Sequence, residues 1–87
     1  MRSEVTIIVG KKPLSHYQGY MFVKSLEKPN KVIVLARTPN IDKACKLADW
    51  ITRIFGFTID QTEIIPSEQN PRIPVTIKIT LTISKRT

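Results

Sequence analysis

Val5-Thr6-Ile7-Ile8-Val9-Gly10-Lys11-Lys12-Pro13 joins an unbroken β-branched run to a glycine, two lysines and a proline. β-Branched side chains are stiff at χ1 and suit a pleated backbone, so Val5 to Val9 predicts a first strand, largely buried. Gly10 ends that strand. Pro13, with φ fixed near the helical value and no N–H to leave unpaired, suits the first turn of a helix. The stretch from Leu14 to about Leu26 has helical length. Its apolar residues Leu14, Tyr17, Tyr20, Met21, Phe22, Val23 and Leu26 surround most of the circumference, which predicts burial on more than one side. Gly19 within it costs about 1 kcal/mol relative to alanine unless close packing requires it.

Outward from this unit, Lys28-Pro29-Asn30 reads as a turn and Val32-Ile33-Val34-Leu35-Ala36 as a second strand of the buried type. A strand, a helix and a strand in this order form a right-handed crossover with parallel strands. Thr38-Pro39-Asn40 leads into a second helix, with Asn40 as N-cap and Asp42 favoured by the positive end of the helix dipole. Ile41, Ala44, Cys45, Ala48, Ile51, Thr52 and Phe55 form a stripe expected to face the sheet. Leu47, Trp50 and Ile54 form a second stripe, either a subunit contact or a core that wraps further round the helix. Gly56 ends this helix, and Phe57 to Ile65 reads as a third strand whose alternation slips near Gln61, as at a bulge. A proline-stiffened polar connection, Pro66 to Pro74, follows. Then Val75, Ile77, Ile79, Leu81 and Ile83 alternate with Thr76, Lys78, Thr80, Thr82 and Ser84, the clearest strand pattern in the chain. The order βαβαββ predicts an α/β (α+β) two-layer sandwich, with two helices on one face of a mixed four-stranded sheet, as one domain over residues 1–87.

Composition narrows the function. Fourteen Lys and Arg against seven Asp and Glu leave a net charge of +7 on 87 residues. Nucleic acid is the expected partner, because each neutralised phosphate releases condensed counterions. An anionic membrane surface is the rival, but no apolar run is long enough to span a bilayer and no lipidation signal is present. No signal peptide is visible, so an intracellular protein is expected. Cys45 is the sole cysteine and His16 the sole histidine, which excludes an intramolecular disulfide and argues against a zinc site. Neither a cofactor nor a small-molecule substrate is indicated. A catalytic role for His16 beside Ser15 lacks a third orienting group, and a helix-surface or packed histidine is the preferred reading. The carboxylates are scattered, and Gly10 alone is no nucleotide fingerprint. No catalytic residue is assigned.

The basic residues are informative by position. Lys11 and Lys12 lie between a strand and a helix start, Arg37 closes the second strand, and Lys43 sits in the first turns of the second helix. In a parallel βαβ unit both connections emerge at the carboxyl end of the strands, so these four cations and two helix N-termini should cluster. Such an edge suits phosphate oxygens; the plain alternative is a solvated charged rim. Arg72 could enter a minor groove if the last hairpin projects as an arm, whereas Lys85 and Arg86 read as a solvated tail. Aromatic residues are too few for a base-stacking platform.

Val9-Gly10-Lys11-Lys12-Pro13, then Tyr17, then Ala36-Arg37 with Ile41 and Lys43-Ala44, resembles the Alba family of archaeal chromatin proteins. The resemblance runs without gaps from Gly10 to Phe55 and more loosely to the end. It implies a βαβαββ two-layer fold, similar to the C-terminal domain of a bacterial translation initiation factor. It also implies a homodimer that binds double-stranded DNA with little sequence preference, and often RNA; a protein that joins another Alba chain and alters its assembly is a further reading, motivated by the Leu47, Trp50 and Ile54 stripe. By the same resemblance Lys11 and Lys12 match central binding lysines, Lys11 an acetylated one, and Arg37 a binding arginine. Phe55 matches a phenylalanine of dimer–dimer contacts, and the terminal hairpins would be arms toward the minor groove. A cytoplasmic, chromosome-associated protein follows. The chain departs from the pattern at Thr38-Pro39, where Gly-Arg is common, at Leu35, often lysine, and in a shorter hairpin containing Glu68, as in a divergent paralogue.

Overall fold

The computed structural model of the chain describes residues 4–65 and 75–83. Six elements follow one another: β1 (Glu4–Val9), α1 (Leu14–Ser25), β2 (Lys31–Arg37), α2 (Ile41–Phe55), β3 (Phe57–Ile65) and β4 (Thr76–Ile83). The sheet order is β1-β2-β4-β3, with β1 parallel to β2 and the other pairs antiparallel. This is the expected mixed sheet with the expected crossover. Arg72, Lys85 and Arg86 lie outside the described residues, as does the Pro66–Pro74 connection.

One face of the sheet carries the core. Val5, Ile7 and Val9 of β1, Val32, Val34 and Ala36 of β2, and Ile77, Ile79 and Leu81 of β4 are buried against Tyr17 and Met21 of α1 and Ala44, Leu47, Ala48 and Ile51 of α2. Both helices lie on that face, so the other face has no covering layer. The two apolar runs are therefore not buried throughout as their composition suggests. In β1 burial alternates strictly, leaving Thr6 and Ile8 exposed, and in β2 Ile33 and Leu35 are only half-buried.

The helices correct two further expectations. Only Tyr17 and Met21 of α1 are buried, while Phe22, Val23 and Leu26 are exposed despite the all-round apolar character. A Cβ at Gly19 would meet nothing within 4 Å, so no close contact requires glycine there. In α2 the buried stripe is rotated from the expected one: Leu47 is wholly buried and Cys45 exposed. Leucine offers more apolar surface than cysteine, and the turn of the helix that buries it gains more. The grouping of Leu47 with Trp50 and Ile54 is thereby broken, since Trp50 is half-buried and Ile54 exposed. Outside the core, Phe22, Trp50 and Phe55 meet edge to face with centroids 5.3 to 5.5 Å apart, tying α1 to α2.

Local signals terminate the elements as read. Asn40 occupies the N-cap of α2 through its backbone, its carbonyl accepting from Ala44 N–H at 3.0 Å, with no side-chain capping bond. Gly56 takes the left-handed conformation, φ 76°, that a side chain would disfavour. The bulge falls between Ile59 and Gln61, which pair with the consecutive residues Leu81 and Thr80 and leave Asp60 extra. Beyond Phe57, β3 is almost entirely exposed, so the hairpin extends past the cover of the helices.

Candidate nucleic-acid interface

The carboxyl ends of β1 and β2 pair as Val9 with Ala36, which brings the Gly10–Pro13 and Thr38–Asn40 connections to one end of the sheet. The first connection is held by side chains from both helices. Gly10 N–H donates to the Tyr17 hydroxyl at 2.7 Å, and the Lys43 ammonium donates to the carbonyls of Gly10 and Lys12 at 2.8 and 2.6 Å. Lys43 thus lies at the expected edge, but two of its three protons face the loop backbone rather than solvent. A cation over two carbonyls makes charge-assisted bonds and fixes the loop's path. Lys11 and Lys12 are left exposed, and Arg37 is exposed at the end of β2.

The remaining charges sharpen the contrast. Among the described residues, Lys24, Lys31, Lys46, Arg53 and Lys78 have carboxylate partners in Glu27, Glu4, Asp42, Asp49 and Glu63. Lys11, Lys12 and Arg37 have none among those residues. The pairings cancel charge on the flanks and on the helix-free face; Lys28, before β2, is also without a carboxylate partner among the described residues, but only this edge gathers three such cations. Exposed pairs contribute little stability, so their effect is on where the field remains. Phe55, half-buried within its aromatic trio, lies at the far end of α2 and is not brought to this edge.

Sequence reasoning did not foresee two features. Tyr17 serves as the acceptor that anchors Gly10, a role that a seven-residue separation does not reveal. On the helix-free face, between the two connections, an open cleft of about 410 Å³ is lined by Ile8, Leu35 and Thr76, with Lys11, Arg37 and Asn40 at its rim. Ile8 and Leu35 belonged to runs read as buried, so nothing in the pattern marked them as a surface. No group of three or more metal-binding side chains occurs among the described residues, and no helix is long and apolar enough to cross a membrane.

No family model matches the chain. It is, however, 29% identical over 84 residues to the DNA/RNA-binding protein Alba of Nanoarchaeum equitans (strain Kin4-M), an alignment that spans 86% of this chain and 93% of the relative. Its fold matches the solved structure of Alba from Thermoplasma volcanium with a TM-score of 0.71 at 28% identity, covering 88% of this chain and 98% of that one. In sequence and in fold alike, the chain is similar to Alba proteins. Within an Alba frame the fastened Gly10–Pro13 loop is the segment that carried the resemblance in the sequence. Leu35, where that resemblance leads one to expect lysine, instead forms part of the apolar floor of the cleft.

Proposed function

We propose that this protein binds nucleic acid through its phosphate backbone, with Lys11, Lys12 and Arg37 as the contacting cations and Lys43 holding the loop that presents two of them. The observation that supports the reading is the separation of charge: five other cations are neutralised locally, whereas Lys11 and Lys12 are exposed on a loop fixed at three backbone groups and Arg37 is exposed at the neighbouring end of β2. Contacts of this kind position a protein on phosphates without reading bases, so binding is sequence-independent and spans double-stranded DNA and RNA. The protein acts as a dimer in chromosome packaging, associated with the chromosome in the cytoplasm. Arg72 on the hairpin and Phe55 at a dimer–dimer contact complete the reading. Acetylation of Lys11 would remove a charge from the edge and weaken binding.

The deciding experiment is fluorescence anisotropy of a duplex DNA with native protein and with the Lys11→Ala/Lys12→Ala variant over a range of salt. Two lost phosphate contacts reduce the slope of log K against log salt by about 1.8, which at 0.15 M salt corresponds to roughly thirtyfold weaker binding. Unchanged affinity and slope would remove the loop from the interface. A second reading, an RNA-binding subunit of a ribonucleoprotein, is favoured by Thr38-Pro39, which leaves the second connection without an added cation. Competition between duplex DNA and structured RNA at physiological salt ranks the two.

A further inference from the structure

A track for phosphates needs cations and N–H donors. It does not need the aliphatic recess between the two connections. Ile8 and Leu35 are register partners across the parallel pair β1–β2 and form its floor, with Ile8 71% exposed to solvent. Thr76, the register partner of Arg37, closes one side. Lys11 and Arg37 stand on the rim with Asn40 beside them. The cleft is therefore apolar at the bottom, hydrogen-bonding along one side and cationic at the mouth.

We infer that this cleft receives one unpaired nucleotide of the bound nucleic acid, an inference that rests on the function proposed above. A base stacked within a duplex presents only its edge and cannot reach the floor. An extruded base presents an apolar face to Ile8 and Leu35 and a polar edge to Asn40 and Thr76, whose side chains supply both donors and acceptors. Its flanking phosphate then lies between Lys11 and Arg37. The volume of about 410 Å³ falls in the range of small-ligand pockets and accommodates a nucleotide. No aromatic ring lines the cleft, so the base is held by aliphatic contact and any of the four bases is accepted. The preferred target is a bulge, loop or frayed end beside a helix, the kind of site at which RNA exposes its bases.

The test uses the full chain and an RNA duplex with a single bulged 2-aminopurine, compared with the same duplex fully paired. Burying roughly 60 Å² of base surface makes the bulged duplex bind about tenfold more tightly. The 2-aminopurine fluorescence rises on binding as the base leaves its stacked neighbours. Leu35→Lys places a charge on the floor; it should abolish the preference while leaving paired-duplex affinity equal or higher. Equal binding of the two RNAs by native protein, or a preference that survives Leu35→Lys, overturns the inference while the phosphate-backbone reading stands. Failure to bind either RNA or duplex DNA overturns both. Adenosine monophosphate in solution should bind no better than millimolar; micromolar binding would make the ligand a free nucleotide and overturn the assignment to nucleic acid.

Discussion

The two connections that leave the carboxyl ends of β1 and β2 lie side by side but are held by different means. Gly10–Pro13 is tied by Tyr17 from α1 and Lys43 from α2, side chains 7 and 33 residues from Gly10. Thr38–Asn40 is held mainly by backbone, with Thr38 N–H on the Val75 carbonyl at 3.1 Å and Asn40 N–H on the Arg37 carbonyl at 2.6 Å. A loop held by backbone groups, its own and that of Val75, keeps its shape under most substitutions. A loop held by distant side chains places its lysines accurately only while both helices are docked. The position of the first loop is thus coupled to the packing of the helical layer.

Four substitutions test that difference. Lys43→Met keeps the aliphatic stem but strips two carbonyls of a charged donor; we expect a loss of about 2 kcal/mol in urea unfolding, together with weaker nucleic-acid binding. Unaltered stability and binding would mean that the first loop holds itself as the second does. Tyr17→Phe removes the acceptor of Gly10 N–H without changing the buried ring, at roughly 1.5 kcal/mol by the same measurement. Arg37→Ala removes one phosphate contact without a structural tie: about fivefold weaker binding at 0.15 M salt, a salt slope smaller by about 0.9, and an unchanged unfolding midpoint. Thr38→Val deletes only a 3.4 Å hydroxyl contact to the Val75 carbonyl and should change stability by less than about 0.5 kcal/mol. A larger effect there would show that the second connection also depends on side chains.

The element order, the parallel pair and the bulge were legible because each leaves a local mark: a β-branched run, a strand-helix-strand spacing, a slip in alternation at Gln61. The clustering of Lys11, Lys12 and Arg37 at one edge follows from the same crossover rule. What escaped the sequence depends on what lies opposite a residue. Ile8 and Leu35 are as apolar as their buried neighbours Ile7 and Val34, and only the absence of a second helical layer distinguishes them. Phe22, Val23 and Leu26 are apolar yet exposed because α1 turns only Tyr17 and Met21 into the core. The rotation of α2 that buries Leu47 instead of Cys45 is a competition between positions on opposite sides of one stripe, decided by apolar area. The Lys43 ties require the crossing of α2 over the loop, which no spacing encodes.

The extra residue at Asp60 gives the hairpin an asymmetric tolerance to changes in chain length. Ile59 and Gln61 already face consecutive partners, Leu81 and Thr80, so deleting Asp60 alone would close β3 into a regular ladder with every pairing on both sides intact. An insertion elsewhere in β3 would instead move all residues beyond it to the opposite face, carrying Glu63 away from Lys78. Related chains can therefore shorten this strand by one residue at that point and keep their sheet. The straighter β3 that results would run on in a new direction without any alteration to the core.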